Sequence, residues 1–361
     1  MRYSGIFIFF CVLILIVCSA GVGFIFYLQN PTRYYLKGVS SFESGNYEQS
    51  IESLNEYISY GFENEKTAKA KYYLAEAIDR KTASVNPAMG ENADRVMKEK
   101  DALAMRRFID VINNNARKDY QVEAILGYAE ICRRNQRYDR FITTKLEDAI
   151  HAYPDKKIDD QIWTLLGYQY LYAGDARKAM NGFLQSASEL SKLGQAQAHI
   201  KLEQYESAFR IYEDFFNFFP SSPYIREVEN SYRNEISAYA KLFQDNKKFV
   251  EAIQFYRRVI DFFPKTPDAE NARYQIGECY YGLENYNEAL RYYTAAFEDR
   301  TNLKDEDALY KMGLSYYELG KNVEAYKTFN LLINQYPNSI YQTRARQWVK
   351  QLKKDLEYFQ E

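Results

Sequence analysis

The sequence predicts an all-α protein, an α-solenoid of stacked helical hairpins behind one N-terminal transmembrane helix. The first observation is a repeated pattern: residues 274–293 read YQIGECYYGLENYNEALRYY, and residues 310–329 read YKMGLSYYELGKNVEAYKTF. Gly277 of the first segment corresponds to Gly313 of the second, a period of 36 residues (313 − 277 = 36). A fixed period of about 20 to 50 residues is typical of stacked repeats, in which each unit buries its apolar face only against its neighbours. The second observation is an uncharged stretch at residues 5–28.

A transmembrane helix is predicted at residues 5–28, after a short tail of residues 1–4. The segment reads GIFIFFCVLILIVCSAGVGFIFYL. As a helix it would be about 36 Å long, enough for a bilayer core of about 30 Å. A cleaved signal peptide is one alternative, although its apolar region would be only about 7–15 residues long. A lipoprotein cysteine at Cys18 is another, although Val17 is larger than the residue that usually precedes such a cysteine. We expect the span to be retained and to cross the membrane once.

Helical hairpins are predicted from residue 33 to residue 337. The clearest unit is IWTLLGYQYLYAGDARKAMNGFLQSA at residues 162–187. Its pattern combines aromatic, small and aliphatic residues at Trp163, Leu166, Gly167, Tyr170, Gly174, Ala179 and Phe183. This unit resembles the tetratricopeptide repeat, whose signature is W-x2-L-G-x2-Y, then Ala and an aromatic residue, over two antiparallel helices. The resemblance implies a right-handed superhelix of about eight hairpins.

Each residue type in this pattern has a physical role. Small Gly and Ala residues let two helices approach closely, and the aromatic residues fill the space between them. Four alanines are therefore expected in the core: Ala179, Ala252, Ala289 and Ala325. The signature aromatic residues are also expected between helices: Tyr280, Tyr286, Tyr293, Tyr316 and Phe329. Prolines close three of the repeats, because proline cannot continue a helix: Pro220, Pro264 and Pro337.

Two segments depart from the repeat. An insertion at residues 82–98 occupies a place where a turn of a few residues would suffice, and insertions of this kind map to one face of a solenoid. Residues 339–361 predict a final capping helix with an apolar stripe that includes Ala345 and Trp348. Terminal repeats need such a helix, because its polar outer face keeps the end of the stack soluble.

The steps FPSSPY, FPKTPD and YPNSIY, each followed by a helix start, resemble a subgroup of tetratricopeptide proteins of the bacterial envelope. That subgroup includes outer-membrane-protein assembly lipoproteins and cell-division coordinators. Ser222 and Thr266 in these steps are expected to be helix N-caps. A short N-terminal anchor before a large soluble body most often leaves that body outside the cytoplasm, so we expect a single-pass protein of the inner (cytoplasmic) membrane with its soluble part in the periplasm. Arg2 on one side of the span faces Arg33 and Lys37 on the other, so the basic residues themselves set no clear orientation.

Composition argues against nucleic-acid binding and catalysis. The formal net charge is −2, with 47 Lys and Arg against 49 Asp and Glu, so the basic footprint of a nucleic-acid-binding protein is missing from the sequence. The chain has only two histidines and four cysteines, without metal-ligand spacing, and carries no phosphate-binding glycine motif. We therefore expect no catalytic residues, no metal and no cofactor, and we do not expect an enzyme.

A membrane-tethered scaffold that binds a protein or peptide partner is the expected function. The alternative is a structural subunit of a larger envelope machine, such as a secretion system or the periplasmic collar of a flagellar motor, with contacts through the convex face and loops. The oligomeric state stays open at this stage.

The expected partner-binding residues are Tyr274, Tyr281, Tyr310 and Tyr317. In the tetratricopeptide family these places on the first helix of each repeat usually line the concave groove. Relatives that bind acidic C-termini carry Lys and Asn on this face, whereas Glu278 and Leu314 stand near the tyrosines here. An amphipathic aromatic lining would suit an apolar helix or an extended peptide. The alternative is that the four tyrosines pack against the adjacent repeat.

Overall fold

The computed structural model describes the residues 30–62, 64–83, 91–114, 120–150, 152–153, 155–298 and 304–358. These residues form seventeen α-helices without a β-strand, which confirms the all-α prediction for this part of the chain. The tail and the predicted span at residues 5–28 lie outside it. No helix in the described ranges is long and apolar enough to cross a membrane. The handedness of the superhelix stays a prediction.

The chain divides into two compact units, Met1–Gln204 and Tyr205–Glu361. The first unit contains nine described helices, and neighbours in the chain pack against each other. They are α1 Thr32–Glu43, α2 Tyr47–Ser59, α3 Glu65–Ala83, α4 Glu91–Asn114, α5 Gln121–Arg134, α6 Arg140–Ala149, α7 Lys156–Tyr172, α8 Ala176–Leu184 and α9 Glu189–Lys201. Helix α3 extends into the predicted insertion at residues 82–98 and α4 begins within it; residues 84–90 are outside the described ranges.

Small residues determine how closely the helices of the first unit approach. A Cβ atom added to Gly167 of α7 would lie 2.6 Å from the ring of Phe183 in α8, and one added to Gly194 of α9 would lie 2.4 Å from the same ring. Phe183 therefore occupies the space that two glycines leave open. At Ser50, where the repeat usually has Ala, the hydroxyl donates to the carbonyl of Gly38 at 2.9 Å, so the polar atom is satisfied in the core.

A glycine follows the end of α7. Its last residue is Tyr172, and Gly174 has φ +87°, a left-handed conformation that glycine adopts without the steric cost of a Cβ. The next helix begins after Asp175, whose carboxylate accepts from the backbone N–H of Lys178 at 3.0 Å. Such caps satisfy backbone donors that have no partner within the helix.

The second unit contains eight helices in its described residues. They are α10 Tyr205–Phe218, α11 Ile225–Asp245, α12 Phe249–Phe262, α13 Pro267–Gly282, α14 Tyr286–Phe297, α15 Asp305–Glu318, α16 Asn322–Gln335 and α17 Gln342–Tyr358. Helix α17 covers α16 with Ala345 and Leu352, both fully buried, and the half-buried Trp348 packs against the same cluster.

The prolines and one of the two N-caps behave as expected. Pro220, Pro264 and Pro337 each follow the end of a helix by two residues. The Thr266 hydroxyl accepts from the N–H of Ala269 at 3.3 Å and caps α13. Ser222 is not an N-cap, which corrects the prediction: α11 begins at Ile225, and the Ser222 hydroxyl instead accepts from the N–H of Tyr224 in the preceding turn.

The core of the repeats contains the four predicted alanines. Ala179, Ala252, Ala289 and Ala325 are fully buried. Of the signature aromatic residues, Tyr293 and Phe329 are fully buried, whereas Tyr280, Tyr286 and Tyr316 are only half-buried. Tyr280 stacks on Tyr292 at a centroid distance of 5.6 Å, so its ring packs near the surface of its own hairpin.

Candidate partner-binding surface

Four tyrosines lie at matching places on two helices of the second unit. Tyr274 and Tyr281 are seven residues apart on α13, and Tyr310 and Tyr317 are seven apart on α15. Seven residues are about two turns of helix, so the members of each pair share one side of their helix. Glu278 lies between the first pair on that same side, four residues after Tyr274 and three before Tyr281. We call Tyr274, Tyr281, Tyr310 and Tyr317, together with Glu278 and Lys311, the tyrosine face.

Tyr274 and Tyr310 are buried, each with 8% of its surface exposed. The ring of Tyr274 packs on Tyr293 of α14 at 5.6 Å between centroids. The ring of Tyr310 stacks on Tyr341, beside α17, at 4.4 Å with an interplanar angle of 11°. Both rings therefore pack against neighbouring helices, which is the alternative to partner binding. A binding role for Tyr274 and Tyr310 stays a prediction.

Tyr281 and Tyr317 are half-buried and leave part of each ring accessible. The Tyr281 ring meets the edge of Tyr286 at 5.2 Å, and the Tyr317 ring lies 4.7 Å from Trp348. Burial, reinforced by the charge of Glu318, raises the pKa of Tyr281 to about 12. The hydroxyl of Tyr281 therefore stays protonated at physiological pH and can donate a hydrogen bond.

Glu278 links the tyrosine face to the core. One of its carboxylate oxygens accepts a hydrogen bond from the hydroxyl of the fully buried Tyr293, and the other accepts from Lys311 Nζ at 2.7 Å. The same Nζ lies 5.3 Å from the centre of the Tyr281 ring. The side chains of Glu278 and Lys311 are 23% and 24% exposed, so this ion pair is shielded from water more than an ordinary surface pair.

A second acidic residue, Asp307, makes a hydrogen bond with Tyr341, whose ring stacks on Tyr310. Asp307 accepts from the hydroxyl of Tyr341 at 2.6 Å and pairs with Lys304 Nζ at 3.2 Å. Lys304 Nζ in turn lies 5.4 Å from the centre of the Tyr274 ring. Glu278 and Asp307 are thus each paired with a lysine that also contacts a tyrosine ring.

Sequence reasoning did not identify Lys304, Lys311 and Tyr341. Lys311 follows Glu278 by 33 residues, and Tyr341 follows Asp307 by 34. Both separations are two or three residues short of the 36-residue repeat, so each contact joins one repeat to the next. A search for pairs of opposite charge slightly less than one repeat apart would have found the Glu278–Lys311 pair.

Metal binding finds no support in the described part of the chain, where His, Cys, Asp and Glu form no group of three or more that could hold an ion. Cys132 and Cys279 are free and buried. Burial raises the pKa of each thiol to about 12, so neither sulfur is an activated nucleophile.

Models of the tetratricopeptide repeat match residues 31–60, 270–298 and 307–339. The chain is a tetratricopeptide-repeat protein. The matched segments correspond to the hairpins α1–α2, α13–α14 and α15–α16, so the tyrosine face lies on two consecutive matched repeats. No curated protein sequence matches this tetratricopeptide-repeat protein.

Solved structures that this chain matches at low TM-scores include three with tetratricopeptide repeats. One is a tetratricopeptide repeat protein from Parabacteroides merdae, 12% identical, with coverage of 77% of this chain and 98% of that chain and a TM-score of 0.36. The TPR2AB domain of yeast Sti1 in complex with pHSP90 is 12% identical, with coverage of 90% and 98% and a TM-score of 0.30. The P58(IPK) TPR domain is 14% identical, with coverage of 92% and 99% and a TM-score of 0.31.

Proposed function

We propose that this tetratricopeptide-repeat protein is a membrane-tethered scaffold of the bacterial envelope that binds a protein or peptide partner on the tyrosine face. Repeat proteins of this kind use the surfaces formed by successive repeats to bind other proteins. The observation that supports the choice of surface is the pair of half-exposed rings at Tyr281 and Tyr317, placed equivalently on consecutive repeats. Tyrosine provides a large contact area with little loss of side-chain entropy.

The charges on the tyrosine face favour a particular kind of partner. Because Glu278 and Lys311 pair with each other, the face offers no cluster of like charge for an acidic C-terminus or a phosphopeptide. Accessible aromatic rings beside a shielded ion pair favour an amphipathic segment, bound as a helix or an extended strand, whose apolar side chains cover Tyr281 and Tyr317.

Site-specific photo-crosslinking in the organism that encodes the chain tests whether a partner binds on the tyrosine face. A photoreactive phenylalanine analogue at Tyr281 or Tyr317 should give a discrete crosslinked protein that mass spectrometry can identify. Tyr292 is the matched control, because it is also a half-buried tyrosine but lies on α14 and packs on Tyr280. Equal crosslinking at all three positions would contradict the choice of surface.

Substitution separates binding from packing. Replacing Tyr281 and Tyr317 together by Ser should abolish capture of the identified partner and lower the melting temperature less than removal of the two buried rings, because Tyr281 and Tyr317 are only half-buried. Replacing Tyr274 and Tyr310 together by Ala should instead lower the melting temperature, because both rings are buried. Loss of capture without loss of stability in the second variant would assign the binding role to the buried pair.

The membrane tether is the second part of the proposal. Its support is the uncharged segment at residues 5–28, which is long enough to span a bilayer as a helix. Alkaline carbonate should leave the full chain in the membrane pellet, and protease added outside intact spheroplasts should digest the repeats if they lie in the periplasm. Release of the intact chain by carbonate would refute the tether, and protection from protease would refute the orientation.

A subunit of a larger envelope machine is the second candidate, and one observation favours it. Phe218 is 73% exposed and Ile340 is 83% exposed, and each lies within three residues of a proline that follows a helix. Large apolar side chains that are exposed at a helix end, as Phe218 is, or in a loop, as Ile340 is, are suited to contacts between subunits. A machine subunit should crosslink to several neighbours through these two positions, whereas the scaffold should crosslink to one partner through the tyrosine face.

A further inference from the structure

One end of the first hairpin combines exposed aromatic rings with basic residues at the place where the described chain begins. Asn30 and Pro31, at the start of α1, line a recess of about 420 Å³ together with Phe62 and Lys66, which lie around the start of α3. The start of α1, the loop after α2 and the start of α3 are therefore at the same end of this hairpin.

The aromatic rings at this end form a continuous stack. Tyr34 of α1 stacks on Tyr60 at 6.2 Å between centroids, and Tyr60 stacks on Phe62 at 6.2 Å with an interplanar angle of 4°. Tyr60 and Phe62 are 44% and 42% exposed, and Leu36 on α1 is 61% exposed. Exposed aromatic rings that are clustered in this way are typical of a surface that contacts a membrane or another molecule.

Basic side chains lie near the stack. The Arg33 guanidinium lies 4.6 Å from the centre of the Tyr34 ring and donates to the Tyr34 hydroxyl at 2.8 Å. Lys37 lies one turn further along α1, on the same side as Arg33, and is exposed, as is Lys66. Two acidic residues also lie near this end. Glu65 is in the first turn of α3, where a negative charge favours the helix N-terminus, and the exposed Glu56 of α2 is one turn before Tyr60.

We propose that this surface, which we call the juxtamembrane surface, lies in the lipid headgroup region of the membrane. It consists of Arg33, Tyr34, Lys37, Tyr60, Phe62 and Lys66. The inference rests on the proposed tether: the predicted span ends at Leu28, and two residues reach at most about 7 Å. An inserted span therefore holds Asn30, and with it this end of the hairpin, next to the headgroups.

The chemistry of the juxtamembrane surface fits that location. Tyrosine rings are enriched at membrane interfaces, because the ring enters the apolar boundary while the hydroxyl stays among polar groups. Lysine and arginine next to a span attract anionic headgroups. Docking would restrict the orientation of the first hairpin relative to the bilayer, so that the repeats leave the membrane in a defined direction rather than on a free linker.

The test uses the full chain in vesicles of phosphatidylethanolamine and phosphatidylglycerol. A photoreactive phenylalanine analogue replaces Tyr60 in one variant and Tyr138 in another, and mass spectrometry quantifies lipid adducts at each position. Tyr138 is a strict control, because it is 43% exposed and has Arg137 and Arg140 close by in the sequence. We expect several times more lipid adduct at Tyr60 than at Tyr138. The double variant Lys37→Gln and Lys66→Gln should lower the Tyr60 yield in these vesicles but not in vesicles of phosphatidylcholine alone.

Carbonate extraction of the same vesicles distinguishes failure of this inference from failure of the tether. Release of the chain would refute the tether, and the present inference with it. Retention of the chain with equal lipid adducts at Tyr60 and Tyr138 would refute docking alone. Crosslinking of Tyr60 to a second protein chain instead of lipid would also overturn the inference and would assign the surface to a protein contact.

Discussion

Gly277 offers a direct test of how the repeats are packed. A Cβ atom added there would lie 2.6 Å from Cδ1 and from Cε1 of Tyr293, whereas carbon atoms in good contact are about 3.5–4.0 Å apart. The Tyr293 ring is fully buried, and its hydroxyl donates to Glu278. The ring must therefore move by several tenths of an ångström at least, and that movement disturbs its hydrogen bond.

Two opposing effects determine the stability of the variant Gly277→Ala. Overpacking a core typically costs about 1–3 kcal/mol. Alanine in a helix interior is more favourable than glycine by about 1 kcal/mol. We expect a net loss of stability, by as much as about 2 kcal/mol where the overpacking cost is at its upper end. Urea unfolding of the full chain measures the overall loss of stability, and hydrogen exchange of the amides in α13 and α14 measures the loss at these two helices. The hydrogen-exchange measurement is needed because repeats can open separately.

A double-mutant cycle with Tyr293→Ala tests the cause. Removal of the ring takes away the atoms that the new Cβ would meet, so only the helix-propensity gain remains. In the Tyr293→Ala background, Gly277→Ala should therefore stabilise α13 by up to about 1 kcal/mol, a reversal of sign. If Gly277→Ala destabilised α13 equally in both backgrounds, the ring contact would not be the reason that this position holds glycine.

Four further predictions concern other buried residues and one helix cap. Ala289→Leu should lower the free energy of unfolding by about 1–3 kcal/mol in denaturant titrations, because Ala289 is fully buried; an unchanged midpoint would contradict the helix register. Thr266→Ala should cost about 1 kcal/mol through loss of the α13 cap, while Thr266→Ser should restore most of it. Cys132 and Cys279 should react with a thiol reagent at pH 8 only after unfolding, as located by mass spectrometry, since burial raises the pKa of each to about 12; rapid native labelling would disprove this. Burial raises the pKa of the Asp305 carboxyl above its ordinary value of 3.8. The contribution of Asp305 to stability is therefore full below that pH and is lost as the pH rises through the folded-state pKa. Asp305→Asn should flatten the dependence of the unfolding free energy on pH between pH 3 and pH 7, and an unchanged dependence would oppose this assignment.

The sequence predicted those features that a single hairpin determines. Ala289 and Ala325 are buried because the two helices of a hairpin cross there, and this constraint repeats with every unit. Gly174 ends a helix because of its own backbone conformation. Pro220 and the other loop prolines end helices for an equally local reason. Such constraints can be recognised from neighbouring residues alone.

Features that depend on the contact between successive repeats were not predictable in the same way. The stack of Tyr310 on Tyr341 and the pairing of Lys311 with Glu278 require the angle between neighbouring hairpins and the rotamers of long side chains. Neither quantity follows from the period. For the same reason the sequence did not separate the buried Tyr274 and Tyr310 from the more accessible Tyr281 and Tyr317.

Tyrosine, rather than phenylalanine or leucine, at buried positions gives these repeats a specific property. A buried tyrosine fills the same space as phenylalanine but brings a hydroxyl that must find a partner. Tyr168 donates to the carbonyl of Leu190, Tyr232 donates to Glu213, and Tyr293 donates to Glu278. In the last case the acceptor belongs to the tyrosine face, and its second oxygen holds Lys311 beside the Tyr281 ring. The core ring therefore orients the charged pair of the proposed binding surface, and at the other repeat Phe329 packs without such a hydrogen bond. The two repeats thus share the same hydrophobic packing, and in the Tyr293 repeat a hydrogen bond from the core ring reaches the ion pair of the surface.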